Sequence, residues 1–465
     1  MSLGANEKPD KSIDKFESML KTDDVYFFDA EDFEEITHHY LNHGKVALAK
    51  KAIKIGLEQH PASTELKLLE VEIHVFENNL DFAEKMLDEL QSLDHTNEEI
   101  YIQRANIHSK KDNHEAAIEF LNRALDFAQD SFDIHSLLGM EYLFLDNYEM
   151  AKVEFKKCLL VDEQDYASLY NIVHCYEFLD DADGAIYFLN DYLDRNPYCE
   201  VAWHQLGKQY FGKNLLKEAL TAFDFAIISE DTFIGAYLEK AKVLEKLGRY
   251  KDAIENYETT IEIEDPSAFA YLRIGKCHDK LGNIDMAKFY FYQTVHEDPS
   301  LDKGWLAITD FYLGQQNFPK ALDYISKALN VDDENALFWK KSAEVHTAMH
   351  HFEKADNAYK NAVDLGEIDQ DTWMAWSKVA VNIGDAYSAI QIITQGLEFS
   401  PQNAELKFRL AGVHLLLNET LNAKEHFVEA LKIDSSKLEL FKLEFPKFSK
   451  NVWLNNLIKE HSTSK

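Results

Sequence analysis

Turn formers are scarce in this chain, with 8 Pro and 17 Gly among 465 residues. That scarcity excludes collagen-like and Gly/Pro-rich low-complexity classes and favours helices joined by short loops. Cysteine is also rare. Cys158, Cys175, Cys199 and Cys277 match no zinc or redox spacing and make no disulfide framework, so buried free thiols are expected. Positive charge is in short supply: 48 Lys and Arg stand against 82 Asp and Glu, a net charge of −34. Nucleic acid is therefore not an expected partner, since phosphate binding needs a surplus of Lys and Arg. No apolar run reaches the roughly 18 residues of a membrane span, so no membrane insertion is expected. The opening stretch "MSLGANEKPDKS" lacks the apolar core of a secretory leader, and the expected location is cytoplasmic.

What is present is a repeat. The stretch "NIDMAKFYFYQTVHEDP" sets Ala287 one helical turn before Phe291, on one face, with Pro299 ending the helix. Stepping from Ala287 by 34 residues in both directions meets alanine at twelve positions, from Ala49 to Ala423, with no insertion. Four residues after each stands a large apolar side chain, among them Leu87, Phe155, Phe223, Tyr257, Phe291 and Phe427. Twelve residues before, the column is mostly small, as in Ala105, Gly139, Gly207 and Gly275. Sixteen before, it is often aromatic, as in Phe33, Trp203, Trp305 and Trp373. Proline recurs at 61, 197, 299 and 401. Each unit thus holds two helices, with a turn near Gly248, Gly282 or Gly384. One pair cannot bury its apolar faces alone, so neighbours must stack.

This pattern resembles the tetratricopeptide repeat. The stretch "WHQLGKQYFGKNLLKEALTAFDFAI" carries Trp203, Leu206, Gly207, Tyr210, Ala219, Phe223 and Ala226 at the signature positions. Departures are local: Lys67 and Lys407 replace the aromatic, and Leu90 and Tyr192 replace a small residue. The resemblance implies an all-α fold, a right-handed α-solenoid of twelve 34-residue units over 30–437. Residues 1–29 are then an N-terminal cap or arm, with Ile13, Phe16 and Leu20 on a short amphipathic helix and the "VYFF" stretch at 25–28 packed on the first unit. Residues 438–465 form a C-terminal capping segment, with Trp453, Leu454, Leu457 and Ile458 on one helical face.

No phosphate-binding loop, GxSxG or HExxH motif occurs, and the repeats leave no room for a catalytic domain, so no enzyme, cofactor or catalytic residue is expected. His74, His108, His278, His346 and His414 share one column with Tyr40, Tyr142, Tyr176, Tyr210 and Tyr312. They read as packing rings in a tyrosine position, and no metal is expected.

In the resembled family the first helix of each unit lines a groove that holds a partner peptide or helix. The residues expected there are acidic in the first five units, including Glu31, Glu65, Glu99 and Asp133. They turn basic in units six to ten, with Lys208, Lys242, Lys246, Arg273, Lys276, Lys280, Lys303, Lys340 and Lys341. Lys208, Lys242 and Lys276 form one column, a ladder suited to an anionic strand, unless Glu239, Glu245 and Asp279 neutralise it. An apolar floor includes Phe211, Leu238, Leu272 and Leu306. The implied function is a non-catalytic scaffold or adaptor that binds a protein or peptide segment. Two alternatives are a self-assembling protein joined through its terminal segments and a sensor of a small anion or signalling peptide.

Overall fold

The computed structural model describes residues 7–22, 26–264, 267–448 and 451–462, and its secondary structure there is helical without strands. The opening "MSL" and Val25 of "VYFF" lie outside the described residues. Contacts divide the chain into two units, Met1–Asp231 and Thr232–Lys465.

The first unit contains the helix Glu7–Thr22 and six helix pairs, repeats 1 to 6, from Ala30–Asn42 with Val46–Gln59 to Glu200–Gly212 with Leu216–Ser229. The second contains six more, repeats 7 to 12, from Ile234–Lys246 with Tyr250–Ile263 to Ala404–Leu416 with Thr420–Ile433, followed by helices Leu438–Glu444 and Val452–Ser462. Corresponding helices recur every 34 residues, in step with the alanine column.

The packing follows from side-chain size. All twelve repeat alanines are fully buried, and the large residue four later is at most 2% exposed in every repeat. The small column of the first helix receives that large residue. A Cβ built on Gly139, Gly207 or Gly275 would come within 2.6, 2.5 or 2.8 Å of the ring of Phe155, Phe223 or Phe291. Phe291 therefore fills a slot in its own repeat, and its other edge meets Phe311 of the next repeat at 5.6 Å between ring centroids.

The aromatic column ties repeats together through its polar tips. Trp203 and Trp305 Nε1 donate to the carbonyls of Pro197 and Pro299 at 2.8 Å, and Trp339 Nε1 to that of Asp333 at 2.7 Å. Each target lies in the turn before the donor's helix, so the N–H is satisfied whether the ring is buried, as in Trp305, or partly exposed, as in Trp203 and Trp339.

Every first helix ends in a left-handed residue, at Gly44, Asn78, Asp112, Asp146, Asp180, Asn214, Gly248, Gly282, Gln316, His350, Gly384 and Asn418. The next N–H returns to the carbonyl five residues back, as from Asn113 to His108 at 2.9 Å and from Asn283 to His278 at 2.9 Å. This closure satisfies a carbonyl that the helix end leaves open. Asn147 and Asn317 then cap the second helix, their Oδ1 atoms accepting from Met150 and Lys320 N–H.

In the first unit Ile13, Phe16, Met19 and Phe28 are buried in one cluster with Phe33, Ile36 and Tyr40 of repeat 1. In the second, Leu438, Phe441, Phe445, Leu454 and Leu457 join the core of repeats 10 to 12, while Trp453 and Ile458 are partly buried against it. Pro446 opens a short 3-10 turn between the two last helices. The four cysteines are free and buried, and burial pushes the Cys277 thiol up to about 12. No described helix is long and apolar enough to cross a membrane.

Candidate functional site

The charged residues expected to line a groove fall on first helices of repeats 6 to 10, and their partners differ sharply. Lys208 lies exposed on the last helix pair of the first unit, with Phe211 half-buried nearby on the same helix. The other charged candidates belong to the second unit. Lys242 Nζ donates to Glu239 at 2.6 Å, one turn back, and lies 5.6 Å from the centre of the Phe269 ring. Arg273 reaches the preceding repeat, where its guanidinium meets Glu245 at 2.7 Å while the Tyr257 hydroxyl donates to the same carboxylate at 2.6 Å. Lys341 bridges Asp310 of the preceding repeat at 2.8 Å and Glu344 at 2.5 Å. Lys340 pairs with Glu367 at 2.9 Å and Asp369 at 2.5 Å. Lys246 and Lys280 lie exposed at the ends of their helices.

The pairing is strong enough to move titrations. Burial pushes the Asp369 carboxyl up, but hydrogen bonds from Lys340 and Thr372 outweigh it and hold it at about 2. Lys340 and Lys341 are correspondingly raised, because their carboxylates overcome the cost of burial.

Lys276 differs from the paired candidates in its surroundings, although Lys208 and Lys280 are likewise without an ion pair among the described residues. Among the described residues neither it nor Lys303 makes an ion pair, and both face a recess of about 640 Å³. Half-buried Leu306 and Ala307 supply its apolar wall, backed by the buried rings of Phe291 and Phe311, and Asp279, Asp310 and Gln315 form its polar rim. Lys276 is solvent-accessible in this recess, yet partial desolvation, and then the neighbouring Arg273 charge, hold its pKa below the ordinary lysine value. An incoming anion would relieve that repulsion between like charges.

The expected apolar floor is only partly there. Leu306 lines the recess and Leu238 is half-buried, but Leu272 is 2% exposed and belongs to the core of repeats 8 to 10. That corrects its assignment as a partner-facing residue: its helix turns it inward, against the cluster that holds Phe291 and Trp305. The contribution of Phe291 comes from a second helix and was not foreseen. Lys276 and Lys303 are 27 residues apart, and that spacing puts them on adjoining first helices.

In the first unit the charge is opposite. Burial raises the Glu99 pKa, the Gln103 hydrogen bond opposes this, and the nearby Glu72, Glu98 and Asp133 charges raise it further. Glu34 is raised likewise by burial and by Glu65 and Glu31.

A family model of the tetratricopeptide repeat matches residues 98–131, 132–165, 234–265 and 270–299. The chain carries tetratricopeptide repeats. The matched segments coincide with or lie inside repeats 3, 4, 7 and 8, and one of them, 270–299, covers Lys276, Asp279 and Phe291 of the recess. The mouse protein "Tetratricopeptide repeat protein 8" is 25% identical over 145 residues, 31% of this chain and 27% of the length of that relative. Among solved structures, yeast Tom70 is 15% identical, with 93% of this chain and 99% of that one covered and a TM-score of 0.44. The Cut9–Hcn1 hetero-tetramer of the APC/C is also 15% identical, with 90% and 92% covered and a TM-score of 0.38. Tetratricopeptide repeats in general mediate protein–protein interactions and are not themselves catalytic.

Proposed function

We propose that this chain is a non-catalytic adaptor that holds an acidic, partly apolar segment of a partner protein against the first helices of repeats 8 and 9. The observation that supports it is the Lys276–Lys303 recess, where two ammonium groups without ion-pair partners among the described residues flank an apolar wall of Leu306 and Ala307. Charge fixes the orientation of such a segment, and apolar contact adds affinity. On this reading all twelve helix pairs, residues 30–437, form the tetratricopeptide array. The segments before and after cap it, and the protein works in the reducing cytoplasm, where its four thiols stay free.

The test uses a short fluorescein-labelled peptide of alternating Glu and Leu, titrated into the full chain with fluorescence anisotropy as the readout. Charge reversal in the pair Lys276→Glu and Lys303→Glu is expected to weaken binding at least about tenfold, equivalent to about 1.4 kcal/mol. Lys242→Glu, whose lysine already has Glu239, is expected to change it much less. Unchanged affinity in the Lys276/Lys303 variant refutes the assignment.

A further inference from the structure

The first unit carries a surface that the Lys276–Lys303 recess does not explain. The first helices of repeats 2 to 5 end in Phe76, Lys110, Phe144 and Phe178, spaced 34 residues apart. Stacking brings successive members together: Lys110 Nζ donates to the Phe76 carbonyl at 3.2 Å and sits 5.9 Å from the centre of its ring. The later rings are braced by the repeat before them. The His114 imidazole stacks on Phe144 and the Tyr148 ring on Phe178, each at 4.8 Å between centroids. The braces leave the outer faces open, and Phe76, Phe144 and Phe178 are 64, 58 and 59% exposed. A row of exposed aromatics in register marks a contact surface.

The turns beside this ridge are strongly acidic. Residues 76–83, 110–117, 144–151 and 178–185 hold nine carboxylates against Lys110 and Lys111, and three of the nine, Glu77, Glu149 and Asp183, pair with Lys50, Lys152 and Lys213. Asp112, Asp146 and Asp180 occupy the left-handed turn position, two residues beyond the ridge. The bias is local to these repeats. The corresponding residues of repeats 7 to 10 (246–253, 280–287, 314–321 and 348–355) hold six Lys and Arg against three carboxylates.

We infer that this ridge docks a basic segment of a partner protein in which arginines alternate with apolar residues. A guanidinium stacks on an aromatic face and pairs with a carboxylate in one placement, which an ammonium does less well. Apolar residues between the arginines cover the remaining ring surface. The carboxylates repel nucleic acid and anionic membranes alike.

The experiment titrates the full chain with two labelled peptides of equal length and charge, one alternating Arg and Leu, the other Lys and Ser. The Arg–Leu peptide is expected to bind at least about tenfold tighter. Phe144→Ser with Phe178→Ser is expected to weaken it about tenfold or more, and so is the triple variant Asp112→Asn, Asp146→Asn, Asp180→Asn. Asparagine keeps the left-handed turn, so the triple variant tests charge with the fold intact, as an unchanged melting curve would show. Equal binding of the two peptides, or full binding by the triple variant, overturns the inference. So does concentration-dependent dimerisation of the chain alone that the Phe144/Phe178 variant abolishes, because the ridge then serves a second copy. The Lys276/Lys303 variant is expected to bind the Arg–Leu peptide like the wild type, so failure at one surface leaves the other standing.

Discussion

Adding a single methyl group to Gly207 should destabilise a helix that alanine ordinarily favours. Gly207 lies mid-helix in repeat 6, and its added Cβ would meet three ring atoms of Phe223 at 2.5, 2.7 and 2.8 Å. Comfortable carbon contacts lie near about 3.5–4.0 Å, so the ring or the helix must yield by about 1 Å. Overpacking of this kind costs about 1–3 kcal/mol, and alanine's helix propensity returns about 1 kcal/mol. The net expectation for Gly207→Ala is a loss of about 1 kcal/mol, at the modest end because Ala411 faces Phe427 in the same two columns of repeat 12. Gly212, in the same helix, is the control: nothing lies within 4 Å of its would-be Cβ, and Gly212→Ala should be neutral or slightly stabilising. Repeat 3 supplies the rescue, since it sets Ala105 opposite Leu121. Urea unfolding followed by circular dichroism measures all three, read as midpoint and slope together because arrays need not unfold in two states. If Gly207→Ala proved as stable as Gly212→Ala, or adding Phe223→Leu restored nothing, the size-matching account would be wrong.

Two further outcomes follow from buried or half-buried charges. Asp369 titrates at about 2 in the fold against its ordinary 3.8, so its contribution is complete above about pH 4 and is lost as pH falls towards 2. The full shift corresponds to roughly 2.5 kcal/mol. Because the side chain is 47% exposed, screening reduces this to about 1 kcal/mol, and Asp369→Asn should flatten the acid limb of a stability–pH profile by that amount. Arg409 is 3% exposed, with Nε bonded to Ser377 Oγ and Nη1 to Glu444 at 2.7 Å. Glu444→Gln should therefore cost about 3 kcal/mol in thermal melts, and adding Arg409→Met should recover most of it, since the penalty lies in the orphaned charge.

The helix pairs and their core were legible because one residue type repeats without a gap: an alanine column with a large neighbour four later admits few other packings. The turns were legible only at Gly248, Gly282 and Gly384. Eight of the twelve left-handed positions hold Asn, Asp, Gln or His, as at Asn78, Asp146, Gln316 and His350, so a search for glycine passes over them. Asn and Asp enter that conformation at little cost because their short side chains bond locally, whereas Gln316 and His350 are held there by the closure of the turn. The recess was less visible still, because Phe291 reaches it from a second helix while Lys276 and Lys303 come from two first helices.

Periodicity assigns a residue its place but not its partner, and the lysine column shows the difference. Lys208, Lys242 and Lys276 occupy the same position in repeats 6, 7 and 8, and by spacing alone they are equivalent. The residue one turn earlier distinguishes them: Gln205, Glu239 and Arg273. At Lys242 that residue is a carboxylate, which accepts from the ammonium at 2.6 Å. At Lys276 it is a second cation, and that cation is itself drawn to Glu245 of the preceding repeat. The carboxylate that could have neutralised Lys276 is thereby engaged elsewhere, leaving the lysine to look outward with Lys303 across an apolar wall. The charge available to a partner thus depends on each member's neighbours: a carboxylate engages Lys242, while Lys208 beside Gln205 and Lys276 beside Arg273 are left without an ion pair among the described residues.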